Sequence, residues 1–308
     1  MYFSRIHSVL CLLCLLALSS CARQGAEPPV EEAPPTKLTI GLPPERNIFR
    51  QIERYEPLMK YVGKKAGVEF ELKVFPRYAN IVSDFESMKL DGAFYGSFTY
   101  VIAAAQMGHR VIARPEDPKG ISTARGMIFV RKDSRIRSVK DMKGKKMVIA
   151  DYATTGGCLL TRVFFFENGI DPTQGFFGEL YVAGTHEDAI HDVIEGVADI
   201  GAAKDSVYRR MWNDESPTIQ GRVRAIAFSP EVPENGLSFR PGVDGNLVLK
   251  IKGVLLTMDR DPEGAAILEK FGASRFIETK DGDFDVVRGY FRRARLDPAT
   301  LNCRKPSN

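Results

Sequence analysis

Two short turns in this chain gather the groups that anion binding needs. The first is Asp151-Tyr152-Ala153-Thr154-Thr155-Gly156-Gly157, between the apolar runs KMVIA and CLLTRVFFF. Thr154 or Thr155 can cap the helix that follows. Gly156 and Gly157 let a ligand approach the backbone closely. Free N–H groups and the helix dipole make such a helix start attractive to negative charge. Plain capping, with no ligand, is the alternative for this motif alone. The second turn, Tyr95-Gly96-Ser97-Phe98-Thr99-Tyr100, repeats the design, with Gly96 at the bend and Ser97 or Thr99 as cap. Tyr78 follows another apolar run, EFELKVF. A lone tyrosine usually packs half-buried. Two hydroxyl-rich helix starts, one in each half of the chain, could instead clamp a single oxyanion.

The elements that must position these turns alternate between strand and helix periodicities. KLTIG at Lys37–Gly41 predicts a strand, and the helical spacing of Ile48, Ile52, Tyr55, Leu58, Met59 and Val62 predicts a helix ending at Gly67. Strands are expected at 69–75, 92–95 and 110–113, with helices at 80–90 and 98–107. A second unit repeats the rhythm. It has strands at 126–130, 146–150, 180–182, 199–203 and 223–228, and helices at 159–168, 187–195 and 206–212. A proline-rich stretch at 229–241 follows, then a mainly helical tail at 246–294. This is the βαβ pattern of open α/β sheets, whose ligands bind where strand carboxyl ends meet helix amino ends. Two lobes are expected, 37–124 and 125–228, with 229–308 crossing back to the first. The crossings should lie near 122–126 and 228–237, forming a hinge over a cleft.

The amino terminus reads differently. Arg5 precedes ten unbroken apolar residues, Val9–Leu18, which is too short for a membrane span of about 20 residues and has the layout of an export signal over 1–20. Leu18-Ser19-Ser20-Cys21 resembles the bacterial lipobox, so Cys21 is expected to carry lipid. Residues 21–36, with four prolines and three glutamates, read as an extended stalk. Cys11 and Cys14 leave with the signal. That leaves Cys158 and Cys303, whose pairing sequence does not decide. The chain has 308 residues, 43 Lys and Arg against 39 Asp and Glu, and 44% hydrophobic residues. Composition of this kind excludes a disordered chain, a disulfide scaffold and a strongly basic nucleic-acid binder. No metal-ligand cluster or nucleotide loop appears, so no metal or cofactor is expected. Arg125–Lys146 holds nine basic residues against two acids and is expected to lie in solvent.

Several blocks, in order, resemble the phosphate/phosphite/phosphonate-binding proteins of ABC importers. They are Tyr78-Ala79-Asn80 with Asp91–Tyr100, Asp151–Gly157, Gly184-Thr185-His186 with Ala198–Ala202, Ser229–Pro233 and Asp283–Arg288. The resemblance spans 37–295. It implies an α/β, two-lobed type II periplasmic-binding fold, each lobe an open mixed sheet with flanking helices and the hinge crossed twice. It also implies ligand contacts from Tyr78, Tyr100, Ser97, Thr154, Thr155, Gly156, Gly157 and His186. Read alone, His186 would be a capping or surface residue.

This chain departs from the family pattern in two places. Gly156 stands where the family has serine. Family members that bind aminophosphonates are similar to one another in holding the ammonium with acids. Here the corresponding segment is Lys204-Asp205-Ser206. Asp205 could serve an amine, and an inward Lys204 would oppose one and suit a dianion. The plainer expectation leaves Lys204 solvated on the rim. The resemblance implies a lipid-anchored, exported, monomeric protein that captures a phosphorus oxyanion for an ABC permease and performs no chemistry. A sensor-coupled receptor, an enzyme using His186 as base and a ligand-free structural lipoprotein are the alternatives.

Overall fold

The computed structural model describes residues 36–172, 175–215 and 219–301, without the side chains of Cys158 and Glu215. The expected signal, Cys21, the stalk and the question of Cys158 and Cys303 lie outside the described residues. The described residues form one compact unit, built on two mixed sheets.

The first sheet starts with β1 (Thr36–Leu42). Ile40 and Leu42 of this strand are fully buried. Next comes α1 (Ile48–Ala66), begun by Asn47, whose side chain accepts from the Phe49 N–H, and stopped at Gly67 with φ 72°. Only glycine takes that left-handed conformation without cost. Tyr55, Leu58, Met59 and Val62 form the buried face of α1, as their spacing predicts. After it come β2 (Val68–Val74), α2 (Ile81–Ser87), β3 (Gly92–Tyr95), α3 (Ser97–Met107) and β4 (Arg110–Glu116). Strands β2 and β3 flank β1 in parallel.

The second sheet has the order β10-β6-β9-β7-β8. Its strands are β6 (Gly126–Arg131), β7 (Lys146–Ile149), β8 (Glu179–Val182), β9 (Ile200–Lys204) and β10 (Val223–Phe228). Helices α4 (Thr161–Glu167), α5 (His186–Ile194) and α6 (Asp205–Glu215) belong to this part. The two crossing segments pair with each other as β5 (Thr123–Ala124) and β11 (Val232–Pro233).

The structure corrects the reading of the last quarter. Gly236–Phe239 is a strand, β12, wedged antiparallel between β3 and β4 in the middle of the first sheet. Its four residues GLSF lie inside the proline-rich stretch at 229–241 and are too few to show alternation, yet all four are buried. The tail is not purely helical either. Between α8 (Pro262–Phe271) and α9 (Asp285–Arg293) lies an edge strand, β13 (Arg275–Glu278), paired with β4. Gly253 and Gly264 do not break their helices: α7 (Gly245–Thr257) runs through the former and α8 through the latter.

One apolar core joins α1, α7 and α8 to one face of the first sheet, through Leu58, Ile251, Leu255 and Phe271 among others. Another combines Phe75, Phe98, Phe284 and Phe291 with Ala153, Leu159 and Val163 from the second part, so apolar packing also ties the lobes together.

Gly201 in β9 lies opposite Phe129 in β6, and a Cβ there would sit 2.3 Å from the Phe129 ring. Gly201→Ala should therefore cost about 1–3 kcal/mol by overpacking. Gly253→Ala, in open space on α7, should stabilise by about 0.5–1 kcal/mol. Urea unfolding midpoints of the two variants should move in opposite directions.

Candidate functional site

Glu45 lies in the loop that carries the chain from β1 to α1, between two prolines and Arg46-Asn47. Its side chain is almost wholly buried, and its backbone oxygen accepts from the N–H groups of His186 (3.1 Å) and Glu187 (3.2 Å) at the start of α5. The first lobe thus meets the second through a helix N-terminus. Around this contact is a small cavity of about 30 Å³, roughly twice the space one buried water needs. It is lined from the first lobe by Glu45, Tyr78, Ser97 and Thr99, from the second by Thr154, Thr155, Gly156, His186 and Lys204, and from the crossing by Pro233 and Asn235.

The two expected helix starts both reach this cavity. Helix α3 opens with Gly96 in extended conformation, and its first N–H groups have no partner within the helix. The Ser97 hydroxyl donates to Pro233 O at 2.6 Å and the Thr99 hydroxyl to Gly96 O at 2.9 Å. Both protons are held by backbone carbonyls, which leaves the backbone N–H groups as the donors of this turn.

The second start is not the simple capped α-helix that the sequence suggests. Thr155–Leu160 forms a π-helical turn before α4 begins, a local widening frequent at functional sites. Thr154 caps it, accepting from the Gly157 N–H at 2.9 Å and donating to Asp151 O at 2.8 Å. A Cβ on Gly156 would lie 2.9 Å from the carbonyl oxygen of Ala203 in β9. With the turn pressed this closely against that strand, position 156 leaves no room for a side chain.

Tyr78 is buried, and its hydroxyl has no partner. A buried hydroxyl without a bond costs free energy, so this O–H is a donor in waiting on the cavity wall. Its ring lies 5.6 Å from that of His186. His186 Nδ1 accepts from the Lys204 N–H at 3.2 Å, which leaves the imidazole hydrogen on Nε2. Burial holds the His186 pKa down at about 3, so the ring is neutral.

Lys204 points inward, contrary to the expectation of a solvated rim position. It does not present a free charge, however. Its ammonium bonds Glu45 Oε1 at 2.8 Å, Asn235 Oδ1 at 2.8 Å and Glu234 Oε1. Arg210 from α6 bonds the other Glu45 oxygen at 2.6 Å. Burial is the largest single influence and would raise the carboxyls of Glu45 and Glu234, but Lys204 and Arg210 together overcome it and hold both well below the usual range. The same carboxylates push Lys204 up against the effect of its burial. Beside this set, Arg46 bonds Glu187 at 2.9 Å and also Asp214, and the Asn47 N–H donates to Glu187 at 2.8 Å.

Of the residues singled out from sequence, the structure brings Tyr78, Ser97, Thr154, Thr155, Gly156 and His186 together at one cavity. Three are elsewhere. The Tyr100 hydroxyl donates to Asp281 at 2.8 Å, away from the cavity, because its place on α3 faces the carboxy-terminal segment. Asp205 caps the chain at Arg125, accepting its N–H at 2.7 Å, and pairs with Arg209. Gly157 lies one residue beyond the lining and is bonded to Thr154. Glu45 and Asn235 carry no signal in the sequence beyond their polarity. They become site residues only through the contact between lobes. Among the described residues no three His, Cys, Asp or Glu side chains gather as metal ligands. Of the nine basic residues at 125–146, seven are exposed as expected, Arg125 and Lys146 are half-buried, and the stretch also contains the buried strand β6.

Comparison with known proteins agrees with this architecture. Residues 40–284 match the family described as the phosphonate periplasmic substrate-binding proteins of ABC transporters. The phosphate-import protein of Mycolicibacterium smegmatis is 24% identical over 259 residues, 80% of each chain. Among solved structures, a binding component of a phosphonate transporter from Pseudomonas aeruginosa superposes with a TM-score of 0.78 at 19% identity, covering 85% of this chain and 87% of that one. A Prochlorococcus marinus protein solved with methylphosphonate gives 0.73 at 20% identity, covering 85% and 100%. With the family model matched over residues 40–284, from within β1 to the residue before α9, this chain belongs to the phosphonate-binding periplasmic substrate-binding proteins of ABC transporters.

Proposed function

We propose that the cavity between the lobes captures a small phosphorus oxyanion, phosphate, phosphite or a simple phosphonate, and that a diacylated or triacylated Cys21 holds the protein at a membrane while it serves its permease. The partnerless Tyr78 hydroxyl carries the ligand reading. It is a buried donor set between two helix starts, one from each lobe. The donors around it are neutral: tyrosine O–H, the backbone N–H groups of the two turns and the Nε2–H of an uncharged His186. Such donors satisfy oxyanion oxygens directionally without needing a net positive charge. The M. smegmatis relative named for phosphate import and the P. marinus structure solved with methylphosphonate support the same ligand class.

Calorimetry of the chain beginning at Lys37, against phosphate, phosphite and methylphosphonate, should show one-to-one binding of at least one. Tyr78→Phe should weaken it about 10- to 100-fold, the worth of a hydrogen bond to a charged group. Silence towards all three ligands would sink the proposal.

His186 also makes a pH prediction. Its pKa falls from near 6.5 in the unfolded chain to about 3 in the fold. Between those values the unfolded chain binds the extra proton, so stability falls as pH drops through this window, by roughly 1.4 kcal/mol per unit. His186→Asn, which keeps an acceptor near Nδ1, should flatten the decline in melting temperature between pH 7 and pH 5. An equally steep decline in the variant would remove His186 as its source.

For the anchor, Cys21→Ser should move the protein from the membrane to the soluble fraction. An intact mass showing a free amine and thiol at Cys21 in native material would contradict acylation.

A further inference from the structure

We infer that Lys204 is a built-in counter-ion: its ammonium occupies the position that a ligand's own cation would take, and so restricts the site to oxyanions that carry no amine. This rests on the oxyanion reading above.

The geometry around Nζ is that of a complete ammonium site. An ammonium has three N–H donors, and three side-chain oxygens meet it: Glu45 Oε1, Asn235 Oδ1 and Glu234 Oε1. They come from two separate places, the loop after β1 and two neighbouring residues of the crossing, and converge on one point. Glu45, Asn235 and Lys204 line the same cavity as Tyr78, Thr154 and Thr155, so this cation site lies beside the oxyanion donors.

Charge balance adds the second step. Glu45 and Glu234 face Lys204 and Arg210, two anions against two cations. With Lys204 in place, a ligand ammonium would find both carboxylates engaged and a fixed like charge nearby, which disfavours it strongly in a buried site. Without the Lys204 side chain, the two carboxylates would keep only the bonded Arg210 and the more distant Arg54 as cations. Three oxygens would then surround a space shaped by an ammonium, within reach of the oxyanion donors. The same pocket would accept a zwitterionic aminoalkyl oxyanion. A lysine serving only as a strut between lobes predicts otherwise: its loss would weaken every ligand alike.

Two measurements on the full-length protein test this. By calorimetry, the natural protein should bind methylphosphonate more tightly than 2-aminoethylphosphonate, and Lys204→Ala should shift the ratio of the two affinities at least tenfold towards the amino compound. Lys204→Met, whose longer side chain refills the space, should show no such shift. In the second measurement, n-propylammonium chloride should raise the melting temperature of Lys204→Ala above that in equal sodium chloride, and leave the natural protein unchanged. If Lys204→Ala folds only with the added alkylammonium, that dependence is itself the rescue. The rescue requires no phosphorus ligand, so it stands even if the oxyanion reading fails. The inference is overturned if the natural protein prefers 2-aminoethylphosphonate, or if Lys204→Ala shows neither the ratio shift nor the rescue.

Discussion

A buried charge set at the junction of the two sheets constrains the rest of this structure. Glu45, Glu234, Lys204 and Arg210 come from the first lobe, the crossing and the second lobe, and each needs the others to be tolerated away from water. Taking one partner from such a set costs about 3–5 kcal/mol, chiefly because a charge is left uncompensated. The lobes are consequently held in one relative arrangement by groups that also form the cavity wall. The carbonyl of Glu45 adds to this by accepting two N–H groups from the start of α5. One loop residue thus serves the ion set with its side chain and the helix start with its backbone.

The balance of that set shapes recognition. Because the bonded carboxylates and cations pair with one another, the groups left to hold an anion are aimed hydrogen-bond donors rather than a free cation on the cavity wall. Neutral donors discriminate by geometry. A site built to satisfy particular oxygens penalises ligands that leave a buried donor unpaired. The Gly156 backbone pressed on Ala203 and the Thr154 cap fix where those donors point. The π-helical turn brings Thr155 and Gly156 to the wall together.

Much of this was legible in the chain. Helix α1 could be placed to the residue because its apolar spacing and the Gly67 after it agree with one another. The two hydroxyl turns were visible as helix starts, since capping residues and glycines are local signals. Strand β12 was not, because four residues after prolines hold no periodicity; its identity comes from the neighbours that sandwich it. The inward direction of Lys204 was hidden for a similar reason. Its partners, Glu45 and Asn235, stand 159 and 31 residues away, and no local pattern announces them. Tyr100 and Asp205 bond to Asp281 and Arg125 instead of lining the cavity, because a polar residue at a helix start serves a neighbouring segment as readily as a ligand.

The position of β12 has a consequence for how the molecule is made. Strands β3 and β4 are consecutive in the chain, yet in the sheet they never touch; β12 stands between them. While the chain is being synthesised, the first sheet therefore has a gap that closes only when residue 236 and its neighbours arrive. The second sheet, formed wholly from strands between residues 126 and 228, has all its strands before then. Contacts distant in sequence form late, and contiguous domains tend to fold as units. The contiguous second sheet can thus close on its own strands, whereas the sheet that begins the folded chain needs a strand from beyond the second lobe to be complete.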